Sequence, residues 1–323
     1  MPNEKPKDFR TSIGGQALIE GIMMRGPKKQ SIVIRKPDGE LVTRVEELKL
    51  AASGHKILKW PIIRGSINLI ASMANGVKAL TYSAEFMPEE DQEEPGKLDL
   101  WIEKHFSNET AEKLIVAVAV VLGVALSVGL FFILPTFFAS LLDQWIGNGV
   151  WYNLVEGVIR MAIFLTYIWL VYRVKEIYRV WQYHGAEHKT IFCYEAGKEL
   201  TVENAREMSR FHPRCGTSFL LIVMIISILV FSLVRIPTDS LSKAATILVR
   251  IGSRLLLLPV VVGISYEVIK YAGRHDNWLT KILSAPGKAL QHLTTAEPDD
   301  SMLEVAIEAL KQVLPDQAGE DRW

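Results

Sequence analysis

The chain has 323 residues, 49% of them apolar, with Lys+Arg and Asp+Glu equal at 36 each and a mean hydropathy of +0.19. Balanced charge excludes the broad basic field that nucleic-acid binding requires, and two cysteines, Cys193 and Cys215, exclude a disulfide framework. Met1 to Arg10 is charged and lacks an apolar core, so no cleaved signal peptide is expected and the first apolar run must direct membrane insertion.

Residues 1–86 read as a small cytoplasmic α+β domain. Its first motif, Gly14-Gly15-Gln16-Ala17-Leu18-Ile19-Glu20-Gly21-Ile22-Met23-Met24-Arg25-Gly26-Pro27, is glycine-rich. Two readings fit it equally: an anion nest of backbone N–H groups beside Arg25, or a tight loop packed on the membrane domain. It is not a P-loop, because Gly-Lys-Ser/Thr is missing. Ser31–Lys36 and Leu41–Glu46 are expected strands, joined by the turn Pro37-Asp38-Gly39-Glu40. Ile67, Ile70, Met73, Ala74, Val77 and Leu80 recur at helical spacing, predicting an amphipathic helix that docks on protein or lies on the membrane. Residues 87–98 form a linker whose acidic run, Glu89 to Glu94, cannot bury enough surface to order itself.

Residues 99–272 carry four runs long enough to cross a bilayer core of about 30 Å: 114–134, 154–172, 219–234 and 245–269. Glu156 and Arg160 stand i, i+4 in the second run and can pair on one face, while Arg250 and Arg254 in the fourth must enter the membrane late or face protein. Pro135 to Asn153 has no Lys or Arg, whereas Arg173 to Cys215 has eight. The positive-inside asymmetry therefore puts both termini and the central loop in the cytoplasm. A three-span alternative, with the fourth run at the interface, would put the C-terminus outside. The C-terminal tail, 273–323, contains a helix opened by a Ser301/Glu304 capping box, with Leu303, Ala306, Ile307, Leu310, Val313 and Leu314 on one face. The N-terminal domain or a second subunit must cover that stripe. The expected fold is thus mainly α: a multi-pass membrane protein with four transmembrane helices and a small cytoplasmic α+β N-terminal domain.

The central loop, 173–215, holds the chemistry. Tyr183-His184-Gly185-Ala186-Glu187-His188 contains His-x-x-Glu-His, the order found in inverted zincins. On a helix, His184 and His188 lie one turn apart and can share zinc or another divalent metal, with Glu187 placed as general base. Downstream, His212 and Cys215 offer further imidazole and thiolate ligands, and a Thr201-capped helix between them returns the chain toward His184. Cys193, between Phe192 and Tyr194, reads as core. Glu267, His275 and Asp276 are alternative ligands, although Glu267 can equally pair with Lys270 or Arg274 and His275 can cap a helix end. The competing reading of the whole loop is hydrogen-bonding histidines at headgroup level with small buried thiols.

The strings GGQALIEGIMMRGP, YHGAEHKTIFCYE and HPRCGTSF, with PGKALQHLTTAEPDDSMLEVAIEAL near the C-terminus, resemble the bacterial YqhQ-like membrane family, domain of unknown function 1385, from Ile13 to Leu310. Members of that family are commonly labelled predicted metal-dependent enzymes. The resemblance implies a bacterial inner-membrane protein and points to His184, Glu187, His188, His212 and Cys215, the residues already singled out. The chain departs from the family pattern at Lys288, His292 and the acidic linker, none of which touches the cluster. Two functions follow as expectations. One is a membrane metalloprotein with zinc-dependent hydrolase chemistry at the cytoplasmic face. The other is a non-catalytic scaffold or channel-like homo-oligomer with a structural metal or a hydrogen-bonded plug. A transporter is disfavoured by only four spans. Lipid is the one partner the composition requires.

Overall fold

The computed structural model describes residues 9–48, 60–87, 100–101, 105, 108–147, 149–234, 241–275, 277–317 and 319–322. Apart from Met87, the acidic linker lies outside them. Two compact units are formed, one from 1–87, 168–226 and 259–323, the other from 88–167 and 227–258. The first unit thus draws together segments that the sequence reading assigned to an N-terminal domain, a central loop and a C-terminal tail.

The first unit is built on a four-stranded antiparallel meander, β1 (Gly14–Leu18), β2 (Gly21–Arg25), β3 (Lys29–Arg35) and β4 (Leu41–Glu47), in the order β1-β2-β3-β4. The expected hairpin is present as β3 and β4. The glycine-rich motif is not a loop, however, but two further strands. Its turn is only Ile19-Glu20, with Glu20 at φ 49°. Arg179 holds the Glu20 carboxylate through both oxygens, the longer contact being 2.6 Å, which anchors this left-handed residue. The pleat explains why β2 is apolar from Ile22 to Met24. Ile22 and Met24, with Val33, enter one core, whereas Met23, with Leu18, Ile32 and Ile34, enters another.

Helices cover both faces. The second core is closed by α1 (Pro61–Ala84), where Ala79 is buried against the sheet and Gly76 packs on Gln16. Docking on protein is therefore what this amphipathic helix does, although Ile70 and Met73 remain exposed. The first core is closed by α6 (Lys175–Glu195) and α11 (Asp300–Lys311), which supply Tyr183, Ala186 and Ile191, and Met302, Leu303, Ala306 and Leu310. Ile191, Met302, Leu303 and Leu310 each contribute about 1.5–3 kcal/mol by leaving water. The N-terminal sheet, together with α6, is thus what receives the C-terminal stripe. The cap of α11 is Asp299 rather than Ser301: its Oδ1 accepts from Met302 N at 3.0 Å and from the Ser301 hydroxyl, while Glu304 turns away to Arg35. Most of 173–215 is helical, as α6 and α7 (Val202–Arg206), the latter capped by Thr201 as expected.

Helix α6 and the chain leaving α10 (Trp278–Thr294) run against each other. A Cβ on Gly185 would stand 2.1 Å from the Ala296 carbonyl oxygen, and Ala296 N donates to Trp181 O at 2.9 Å. This glycine is a packing requirement rather than a weak point in the helix.

The second unit holds α2 (Asn108–Val128), a π-helical turn (Gly129–Ile133), α3 (Leu134–Leu141) and α4 (Asp143–Ile146). It also includes most of α5 (Val150–Val171), the end of α8 (Gly216–Leu233) and the first half of α9 (Lys243–Arg274). Among the described residues, four stretches are long and apolar enough to cross a membrane: Leu114–Leu141, Val150–Val171, Gly216–Leu233 and Ala244–Arg274. Their number agrees with the four runs in the sequence. The first extends past Pro135, which the sequence reading made the start of a loop. Pro135 has no N–H to offer Phe131 O, four residues back, and Arg160 Nε fills the vacancy at 2.8 Å.

That guanidinium also donates to Glu156 at 2.6 Å, the expected i, i+4 pair. Arg254 donates to the same carboxylate and to Asn153 Oδ1 at 2.9 Å, and Thr136 donates at 3.1 Å. Arg250 stacks on Tyr152, 3.7 Å from the ring centroid. Arg250 and Arg254 therefore both face protein.

Two outcomes test this packing. Gly185→Ala raises helix propensity by about 1 kcal/mol, yet the collision with Ala296 O is expected to lower the thermal midpoint of the detergent-purified protein; a higher midpoint would refute the close approach. Glu156→Gln leaves two buried guanidiniums without a counter-charge and is expected to cost about 3–5 kcal/mol, read as a larger fall in midpoint than Asn153→Ala produces.

Candidate metal centre

Helix α6 sets His184, Glu187 and His188 on one face at i, i+3 and i+4. All three are buried, and the two imidazole centroids lie 4.4 Å apart. Each ring is fixed by a backbone carbonyl from a different segment. His184 Nδ1 lies 2.7 Å from Thr294 O, and His188 Nδ1 lies 2.5 Å from Arg210 O. A carbonyl only accepts, so both Nδ1 atoms carry the proton and Nε2 is left on each ring as the coordinating atom. This is the tautomer and support that metal-binding histidines take.

Cys215 completes the group from the residue before α8. Its Sγ lies 3.1 Å from His184 Nε2 and 3.2 Å from Thr217 Oγ1. One ligand atom each from His184, His188 and Cys215 lie within 4.8 Å of one another, and the cluster can hold a metal ion. Burial pushes the Cys215 thiol up, but His184 and His188 beside it hold it well below the usual thiol range. Burial likewise lowers His184, while the Cys215 sulfur more than offsets this and raises it to about 9. The two histidines thus favour the deprotonated sulfur, the form that binds metal.

Glu187 stands beside this group with its two oxygens in different states. Oε1 accepts from Gly15 N at 2.9 Å. Oε2 is buried with no hydrogen-bond partner among the described residues. Burial raises its carboxyl above the ordinary range against the pull of His184 and His188. A Cβ on Gly15 would meet Met23 O at 2.7 Å and the Glu187 carboxyl carbon at 3.1 Å, so strand β1 approaches the carboxylate only because residue 15 is glycine. The N–H that the sequence offered as part of an anion nest is in fact given to a carboxylate of the same chain.

His212 is drawn close but not into the group. Its ring packs on His188 at 5.4 Å between centroids, while Nε2 lies 3.3 Å from Arg214 Nη2 and 3.9 Å from a Glu195 oxygen. Burial, more than offsetting the pull of Glu195, lowers it to about 4, so it is neutral at pH 7. Gln291 clamps its backbone, accepting from His212 N and donating to His212 O, both at 2.7 Å. Cys193 is in the first core, as expected. Glu267 forms a bidentate pair with Arg64, at 2.8 and 2.5 Å, rather than with Lys270 or Arg274. His275 stacks on Tyr271, and Asp276 lies outside the described residues. Thr294, Arg210 and Gly15 were missed from sequence because each acts through its backbone. Gly185 was the available signal, since a glycine inside a buried histidine motif marks a close neighbour.

No solved structure matches the chain. The chain is 37% identical over 309 residues to the uncharacterized protein YqhQ of Bacillus subtilis (strain 168), covering 93% of this chain and 92% of that protein. A family model described as a protein of unknown function, DUF1385, matches residues 60–316. Neither description names an activity or a metal. With the motifs and the relative in agreement over nearly the whole length, the chain belongs to the DUF1385 family.

Proposed function

We propose that this chain is a multi-pass protein of the bacterial cytoplasmic membrane that binds a divalent metal, zinc by preference, through His184, His188 and Cys215 and acts as a metal-dependent hydrolase. The observation that carries this reading is the unpartnered Oε2 of Glu187 beside a three-ligand cluster. Catalytic zinc sites keep three protein ligands and an open fourth position, and mixed imidazole and thiolate donors suit zinc. Zinc held by these residues would supply a bound water whose pKa is lowered to about 7. The residues then have separate tasks. The Thr294 and Arg210 carbonyls orient the imidazoles, and Gly15 N–H anchors one carboxylate oxygen. Glu187 receives a proton on the other, which its raised affinity for protons favours. His212, neutral and held by Gln291 and Arg214, acts behind His188 rather than as a ligand. The Lys/Arg asymmetry of the connecting segments supports cytoplasmic termini.

A second reading is favoured by the burial of all three ligands. In it Glu187 is a fourth ligand, the sphere is closed, and the site is structural within a non-catalytic scaffold.

Metal analysis of the detergent-purified full-length protein, grown with zinc, decides between them. One equivalent is expected in the wild type and in Glu187→Gln, and less than a tenth of that in His184→Ala/His188→Ala. Loss of metal in Glu187→Gln would establish the closed structural site. Equal, metal-free preparations of wild type and double variant would end the metal proposal altogether.

A further inference from the structure

The span Ala244–Arg274 has 31 residues, a rise of about 46 Å against a hydrocarbon core of about 30 Å. Its end therefore extends to headgroup depth. Lys270 and Arg274, on those last turns, wall a cavity of about 260 Å³ completed by Ser12, Tyr266, Ile269 and Arg322. Among the described residues the lining is three cationic side chains, the hydroxyl-bearing Ser12 and Tyr266, and Ile269, with no carboxylate. Lys270, Arg274 and Arg322 make no side-chain hydrogen bond or ion pair with a described residue. Among the described acids, Asp321 accepts from Thr11 and Tyr194, and Glu267 forms its hydrogen bonds with Arg64 while its charge also acts on Lys270 and Arg274.

Lys and Arg at the end of a span ordinarily snorkel outward into water. Here the far C-terminal end of the chain brings Arg322 to face two span residues across one cavity. Like charges gathered in this way repel unless an anion bridges them.

We propose that this cavity binds a phosphate group, carried by an anionic phospholipid whose glycerol and first methylenes lie along Tyr266 and Ile269. Basic pockets beside spans at this depth suit such headgroups. The proposal rests on the membrane placement put forward above and not on the metal.

The test is native mass spectrometry of the full-length protein released from nanodiscs containing phosphatidylglycerol or phosphatidylcholine. The wild type should retain phosphatidylglycerol selectively. At about 1 kcal/mol per cation, Lys270→Gln/Arg274→Gln/Arg322→Gln should weaken retention roughly a hundredfold, and the surface variant Arg322→Gln alone roughly fivefold. Thermal stabilisation by inorganic phosphate in phosphatidylcholine nanodiscs, lost in the triple variant, would support the site with a soluble phosphate as its source. Equal retention of both lipids with no response to phosphate would overturn the proposal, as would binding that the triple variant leaves unchanged in a protein of wild-type helicity. Membrane placement is read separately, from whether the wild type fractionates with membranes.

Discussion

Helix α6 can lie against the chain that leaves α10 only because residue 185 has no Cβ. Everything chemical in the first unit follows from that contact. It brings Thr294 O to His184, which selects the tautomer and turns Nε2 toward Cys215. One turn along the same helix, His188 and Glu187 are aimed at the same place, their orientation fixed by Arg210 O and Gly15 N. The site is therefore assembled from five parts of the chain, and backbone groups do most of the positioning. Backbone groups are the least mobile partners available, so the imidazoles lose little orientational freedom when a ligand arrives.

The second unit solves a different problem with a similar economy of groups. A carboxylate and two guanidiniums within candidate spans are costly unless each finds partners. Glu156 accepts from Arg160, Arg254 and Thr136, and Arg160 in turn occupies the carbonyl that Pro135 leaves open. One cluster thus compensates both the buried charges and the proline. Removing Glu156 disturbs all of it, because no other described carboxylate reaches those arginines.

The four apolar runs were readable from the sequence because each exceeds what a soluble core helix needs, and the α1 and α11 stripes because their period is helical. Strands β1 and β2 were not. Both faces of β2 are buried, so Ile22-Met23-Met24 shows no alternation, and the glycines of β1 resemble a loop. The cap at Asp299 was misplaced by two residues because Ser301 and Glu304 imitate a capping box while serving Asp299 and Arg35. In the site, His184, Glu187 and His188 were visible from i, i+3, i+4 spacing alone. The spacing carried no information on Cys215 versus His212, since that choice is made by Gln291, Arg214 and Glu195 holding His212 aside. Gly185, unfavourable in a helix by propensity alone, is the condition for the site.

X-ray absorption at the zinc edge of the metal-loaded protein tests the centre most directly. The geometry predicts one sulfur at about 2.3 Å and two imidazole nitrogens at about 2.0–2.1 Å, with a light oxygen scatterer in the remaining position. A sphere without sulfur, or one filled by three or more imidazoles, would contradict the assignment of His184, His188 and Cys215.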